Sequence, residues 1–381
     1  MVAGFALACV GGPLALVALY GPDAVGGPAI GSAGLVALLG AAGFLPILLL
    51  WWRYSQRIAS DGGLYEFVRQ SAGTGAARTH GVIWIVSYLA YLPFTVTALV
   101  YDVLPVGVPG IVPYRAWIQV ATALAIVALV VAADRTAIVL VAIAGVAQVA
   151  VLIAFAAVMI HGATLPLSTL AVNRSGTQIP RGAANVALLF VCVSLPLYLG
   201  GEAAGGGRTI RRSVVGATLL TAVLLVGGMA GYAALAEAGV ANLPVPGYTV
   251  ALIYGNHAFA EVVLLAAAGS VACLILAEYL ALTRVLHAMT GLSIRRGAMI
   301  VGALFLLGDV VTLVNPKAIY DHALTVSLIT LYTSQLIVVA VYPAWRRRTD
   351  RVRAIDLALT AGAGALMIFG LYVAISQSSL S

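Results

Sequence analysis

Eleven apolar stretches, each long enough to cross a bilayer, decide what this 381-residue chain can fold into. A membrane helix needs roughly 17–25 such residues. The stretches run about Val2–Tyr20, Ile30–Trp52, Gly81–Leu104, Ala116–Ala133, Ala137–Ile160, Ala184–Ala204, Val214–Ala236, Ala258–Leu286, Gly297–Val314, Ala323–Tyr342 and Ile355–Ile375. With 62% hydrophobic and 9% charged residues, and a mean hydropathy of +1.07, a soluble globule is excluded. Lipid offers no partner to backbone N–H and C=O groups, so each stretch is predicted to satisfy them internally as a helix. The expectation is an all-α polytopic membrane protein.

Two of these stretches carry nearly matching octapeptides, Cys9-Val10-Gly11-Gly12-Pro13-Leu14-Ala15-Leu16 and Cys192-Val193-Ser194-Leu195-Pro196-Leu197-Tyr198-Leu199. Proline has no N–H and clashes with the carbonyl four residues back, so Pro13 should free the carbonyl of Cys9 and Pro196 that of Cys192. Irregular backbone at membrane depth persists where it is buried in protein or lines a cavity, and a matched pair of interrupted helices points to a transporter binding site. The half-helix that starts at Pro13 or Leu14 would present free N–H groups and a positive dipole end to a carboxylate. Freed carbonyls near Cys9, Val10 and Cys192 to Ser194 would face an ammonium group, and Gly11 and Gly12 would let a ligand approach the backbone. Val193 belongs to the same expected break. The competing reading is that both prolines merely kink packed helices.

The basic residues set an orientation, because cytoplasmic loops carry the excess of Lys and Arg. Sixteen of the 20 follow even-numbered spans: Arg53, Arg57, Arg69 and Arg78; Arg135; Arg208, Arg211 and Arg212; Arg284, Arg295 and Arg296; and Arg346, Arg347, Arg348, Arg351 and Arg353. Arg115, Arg174, Arg181 and Lys317 remain for the other side. The N-terminus is therefore expected in the cytoplasm and the C-terminus outside, in a multi-pass protein of the plasma membrane. This retention of loops accounts for the net charge of +7 without a nucleic-acid partner. The first 52 residues hold no Lys or Arg, so the opening stretch reads as a span rather than a signal peptide.

Cys9, Cys192 and Cys273 all lie in apolar stretches, and no Cys/His spacing suggests a metal. No Asp-rich motif, G-x-S-x-G or H-E-x-x-H marks an enzyme. Arg53–His80 reads as a hairpin of short amphipathic helix turning at Gly62-Gly63, His161–Arg181 as an outer loop, and Arg346–Arg353 as a basic linker before a detachable last span. Acidic residues within spans are costly and mark function. Glu278 is the leading coupling residue; Glu202 is either a second one or a structural partner of Arg208 or Arg212. Asp309 is placed near the outer surface with Thr312 and Asn315.

Three segments resemble the amino acid–polyamine–organocation permeases. Tyr54 through Val68 is similar to the signature after that family's second helix. Glu202 through Arg212, ending Gly207-Arg208-Thr209-Ile210-Arg211-Arg212, resembles the stretch after its sixth, and Thr283-Arg284-Val285-Leu286-His287-Ala288-Met289 the pattern closing its eighth. The resemblance implies a LeuT-like 5+5 inverted-repeat helical bundle with about 11 transmembrane helices, the first and sixth unwound around a central site. By family placement Ser87 and Tyr91, which share a face of the third helix, line the pocket, and Phe190 and Leu276 supply its apolar gate. Gly11-Gly12-Pro13 replaces the family's usual glycine run, Ser194 stands where many members carry Glu, and Gln148 lies close to where some proton-coupled members carry a lysine.

Residues 1–345 are then the transporter core, with repeats about 1–160 and 184–345, and residues 346–381 a linker plus one accessory helix. The implied function is secondary active transport of amino acids, neutral because neither break holds an acid, or of related small amines. Coupling to a proton or sodium, or exchange, stays open, as does the oligomeric state. No cofactor is expected; the partners are the small-molecule substrate and the lipid bilayer. The alternative is a membrane sensor or channel that binds a small molecule without coupled transport.

Overall fold

The computed structural model describes residues 1–10, 12–25, 27–162, 167–172, 178–232, 243 and 245–378; Gly11 and parts of the expected outer loop lie outside them. Among the described residues nine helices are long and apolar enough to cross a membrane. One of these, the 54-residue helix Pro109–Gly162, turns at Ala133 (φ −147°, ψ 56°) and so supplies the fourth and fifth spans. The shorter Ile294–Thr312, with Arg295 and Arg296 in its first turn, is the ninth. The bundle therefore holds eleven spans, all α with no strand among the described residues. The others are Val2–Tyr20, Ala33–Tyr54, Thr74–Gly107, Gln178–Leu199, Gly206–Tyr232, His257–Thr290, Pro316–Thr349 and Ala354–Ser378.

Small residues let these rods approach closely, as in lipid they must where no hydrophobic driving force separates protein from solvent. The first and fifth spans are the tightest case: a Cβ on Gly4 would overlap the Ala142 carbonyl, and one on Gly145 would overlap the carbonyl of Gly4. The third span packs on the tenth, the second on the sixth, and the eighth on the fourth and fifth.

The even-numbered loops meet at one end of the bundle. Arg57 Nη1 donates to the Thr349 carbonyl (2.7 Å), Arg211 Nη1 to that of Ser55 (2.8 Å) and Arg348 Nη1 to that of Gln70 (3.3 Å). The amphipathic helix Gly63–Ala72 lies here and buries Leu64, Phe67 and Val68, as its spacing predicts.

Two expectations need correction. The last span is fastened rather than detachable: Asp356 is fully buried and accepts from Arg53 Nη1, from the Tyr342 hydroxyl (2.9 Å) and from the backbone N–H of Arg353 (2.9 Å). The tenth helix also continues through Arg346–Arg348 to Thr349, so the linker is short.

The octapeptides, moreover, do not fold alike. Helix Val2–Cys9 stops, and a new helix begins at Pro13 behind Gly12 (φ +62°, ψ 97°). The sixth span is continuous through Pro196, wound as a 3₁₀ helix over Phe190–Leu199, and the chain turns only at 200–205. In 3₁₀ winding each N–H reaches three residues back, so Pro196 deprives the carbonyl of Val193 rather than that of Cys192. Ten residues is a long run for a geometry that rarely exceeds three or four, and lengthens the rod by about 5 Å relative to an α-helix.

Asp356→Ala should lower unfolding free energy by about 2–3 kcal/mol, because it leaves Arg53 and Tyr342 without their shared acceptor. A thermal midpoint in detergent several degrees below wild type is expected; an unchanged midpoint would show the last span to be only loosely attached.

Candidate functional site

A cavity of about 630 Å³ lies among the first, third, sixth, eighth and tenth spans, with Val373 of the eleventh also in its lining. Helical spacing selects its walls. The first span contributes Leu16, Tyr20 and Ala24, four residues apart; the third contributes Ser87, Tyr88, Tyr91 and Phe94; the tenth contributes Leu324, Ser327, Leu328, Leu331 and Tyr332. The Ser87 hydroxyl donates to the Ser327 carbonyl (2.9 Å), tying two walls together. Gln178, Arg181 and Asn185 stand at the start of the sixth span and line the cavity at the end away from the arginine-rich loops.

The sixth span meets the cavity with Leu188, Leu189, Val191 and Cys192. Side chains three apart eclipse in a 3₁₀ helix; of the three ridges that start at Phe190, those of Val191 and Cys192 face inward, below Leu188 and Leu189, the last residues of the α-helical part. Phe190 and Val193 fall on the third ridge and do not line the cavity; Phe190 packs on Phe44 instead, with ring centroids 5.6 Å apart. Ser194 is fully buried below Val191, its Oγ without a hydrogen-bond partner. Leu276 also faces elsewhere: two residues from Leu274 it lies about 200° around the helix, and Leu274 occupies the cavity floor.

One turn beyond Leu274, and on its face, is Glu278, which is fully buried with both carboxylate oxygens unpartnered. It lies within electrostatic reach of Cys9 and Tyr20 on the first span, Tyr88 on the third and Cys192 on the sixth. Of the expected pocket residues, Ser87, Tyr91 and Cys192 line the cavity, while Glu278, one turn from the lining residue Leu274, is not in its wall.

The break in the first span is closed off from this cavity. Ser270 Oγ accepts from the Ala15 N–H (3.4 Å) and donates to Gln148 Oε1 (2.7 Å), so the eighth and fifth spans cap the half-helix. Gly12 and Pro13 are buried and absent from the cavity wall. Of the expected carboxylate cradle, the Ala15 N–H is thus taken by Ser270; Gly11 lies outside the described residues.

Beneath Glu278 the arginine-rich end is shut by Arg284. Its side chain is fully buried and reaches Asp134 Oδ2 (2.9 Å), at the turn between the fourth and fifth spans, and Glu202 Oε1 (2.7 Å), after the sixth. Glu202 thus pairs with Arg284, and neither expected partner, Arg208 or Arg212, holds it. Asp61 Oδ1 accepts from the Gly201 N–H (2.8 Å) alongside. Asp309 is a fully buried part of a separate cluster, where Gln119 Nε2 donates to Asp309 Oδ1 (2.9 Å) and to Thr312 Oγ1 (2.6 Å).

Several of these groups escaped sequence reasoning. Ser270 is the one hydroxyl in the apolar run from Val262 to Ala277, a signal that could have marked it as a cap. The 324/328/332 spacing of the tenth span could have named Tyr332. No local pattern joins Arg284 to Asp134, 150 residues away.

No family model matches the chain, and no curated protein does. Solved structures do share the fold. A nucleobase-cation-symport-1 family transporter in a closed conformation with bromovinylhydantoin bound superposes at TM-score 0.59 with 13% identity, over 99% of this chain and 92% of that one. A manganese transporter of Eremococcus coleocola gives 0.59 and 12% over 96% and 86%. A Na⁺-coupled sialic acid symporter in a substrate-bound outward-open state gives 0.56 and 9% over 97% and 89%. The architecture is thus the LeuT-like inverted-repeat bundle.

A Cβ on Gly12 would overlap Ser270 Oγ, and the positive φ is itself unfavourable for other residues. Gly12→Ala is expected to cost roughly 2 kcal/mol from these two sources. Combining it with Ser270→Gly should recover part of the loss in a thermal-unfolding assay; additive losses would separate the two positions.

Proposed function

We propose that the chain is a secondary active transporter whose cargo is an amino acid, a neutral one foremost, or a related small amine. The observation that carries this reading is a cavity whose lining includes the polar Gln178, Arg181 and Asn185 from the start of the sixth span, while the opposite, arginine-rich end is held together by buried Arg284 between Asp134 and Glu202. Alternating access needs such an asymmetry, with the seal broken and remade as one bundle rocks against the other. A channel would need a continuous path, so the seal favours a carrier.

The solved structures that share the fold include a transporter holding bromovinylhydantoin, a manganese transporter and a sialic acid symporter, so the fold by itself does not select the cargo. By the positive-inside rule the arginine-rich end faces the cytoplasm, and the cavity opens outside, in the plasma membrane. Residues 1–345 form the repeat-built core and 346–381 an added span. Glu278 is assigned as the proton-coupling residue. Glu202, committed to Arg284, is assigned to the seal.

The test is accumulation of labelled amino acids and amines in proteoliposomes. At least one should accumulate above its outside concentration when a proton gradient is imposed, and Glu278→Gln should abolish the dependence on that gradient. Dissipative flux alone, or binding without flux, would favour the channel or sensor reading.

A further inference from the structure

We propose that Asp309, Thr312 and Gln119 form a binding site for a monovalent alkali cation, where the third, fourth and ninth spans meet away from the arginine-rich loops. The site is separate from the cavity, and it stands or falls independently of what the cavity carries.

Asp309 is an acid where a helix least favours one. It lies in the last turn of Ile294–Thr312, at the negative end of the helix dipole, and it is fully buried. The helix tightens there, and the N–H of Leu313 reaches the carbonyl of Val310 (3.1 Å), one residue short of Asp309. The Asp309 carbonyl is left to side chains: it accepts from Thr312 Oγ1 (2.7 Å) and from Gln119 Nε2 (3.3 Å). A helix end and a carboxylate thus add their negative charge at one buried point. No ion pair offsets them among the described residues. Arg115, one turn before Gln119 on the fourth span, is held instead over the Tyr101 ring, 5.3 Å from its centroid.

What converges on this point is oxygen. The Asp309 carbonyl, Asp309 Oδ1 and Thr312 Oγ1 lie 3.3, 2.9 and 2.6 Å from Gln119 Nε2, and an amide nitrogen has only two protons to offer three acceptors. Thr97 of the third span stands 3.4 Å from Thr312 Oγ1 and gives its proton to the Pro93 carbonyl (2.8 Å). Two further oxygens here are buried without any partner, Gln119 Oε1 and Asp309 Oδ2. Hard cations take carboxylate and carbonyl oxygens as ligands, and helix C-terminal ends coordinate such ions within membranes. Turning the Gln119 amide over adds Oε1 to the Asp309 and Thr312 oxygens. One carboxylate balances one positive charge, whereas a divalent ion would keep a charge uncompensated at this depth.

A cation held here would pin the ninth span to the third and fourth. Thr97 hangs from the carbonyl of Pro93, whose neighbour Phe94 lines the cavity, and a Cβ on Gly308 would come within 3.3 Å of the Pro93 ring. The site therefore backs onto a cavity wall without forming part of its lining.

The experiment measures the thermal midpoint of the purified full chain in detergent, in sodium chloride against choline chloride at equal ionic strength and one alkaline pH, together with equilibrium binding of radioactive sodium. Sodium should raise the wild-type midpoint by several degrees, and Asp309→Asn should abolish the rise. Thr312→Val should weaken sodium binding about tenfold or more, the size of one lost contact to a charge. Equal midpoints in the two salts for the wild type would overturn the proposal and leave Asp309 a protonated acid. A sodium response undiminished in Asp309→Asn would overturn it by placing the ion elsewhere. If Asp309→Asn fails to fold, Thr312→Val, which keeps the side-chain shape, decides by the same comparison.

Discussion

Everything about the cavity depends on Arg284. A guanidinium that is wholly buried must be paired, and here two carboxylates meet it from two elements, Asp134 at the bend between the fourth and fifth spans and Glu202 after the sixth. Both acids are partly exposed, at 26% and 33%. The pair therefore sits at the border between bundle and solvent, where hydration can take over its partners. A fork of donors can bridge two acids at once, and lysine could not hold both with the same geometry.

The second determinant is how the sixth span is wound. A 3₁₀ helix turns 120° per residue, so three ridges run along it instead of a helical stripe. Two of them, starting at Val191 and Cys192, face the cavity, while Phe190 is sent toward Phe44. The same winding carries the chain through Pro196 without a break. The first span does break at Gly12, and Ser270 takes up the freed N–H, so the irregular backbone is satisfied within protein as the bilayer requires.

Much of the architecture was legible because it rests on composition and period. Apolar runs of spanning length gave the eleven rods in order, and the one-sided arginines anticipated a single basic end, now seen as Arg57, Arg211 and Arg348 bonding across loops. The 87/91 spacing put Ser87 and Tyr91 on one face, where both meet the cavity. What was not legible depends on pairings distant in sequence. Proline reports a missing N–H, but whether the chain breaks or tightens to 3₁₀ depends on packing around it, so Pro13 and Pro196 behave differently. Family placement put Phe190 and Leu276 inward and the expected break put Val193 there; the 3₁₀ winding of the sixth span turns Phe190 and Val193 away, and the register of the eighth turns Leu276 away. Asp356 reads as an ordinary first-turn acid until Arg53 and Tyr342, far upstream, are seen beside it.

The central claim, a cavity entered from the end opposite the arginine-rich loops and sealed at that end, is open to a direct chemical test on a native thiol. Cys192 lines the cavity, whereas Cys9 is fully buried and Cys273 nearly so. In sealed vesicles of known orientation, a membrane-impermeant maleimide should label Cys192 when added to the face away from those loops, and a Cys192→Ala protein should stay unlabelled. Labelling of Cys192 from the arginine-rich face alone would contradict the arrangement.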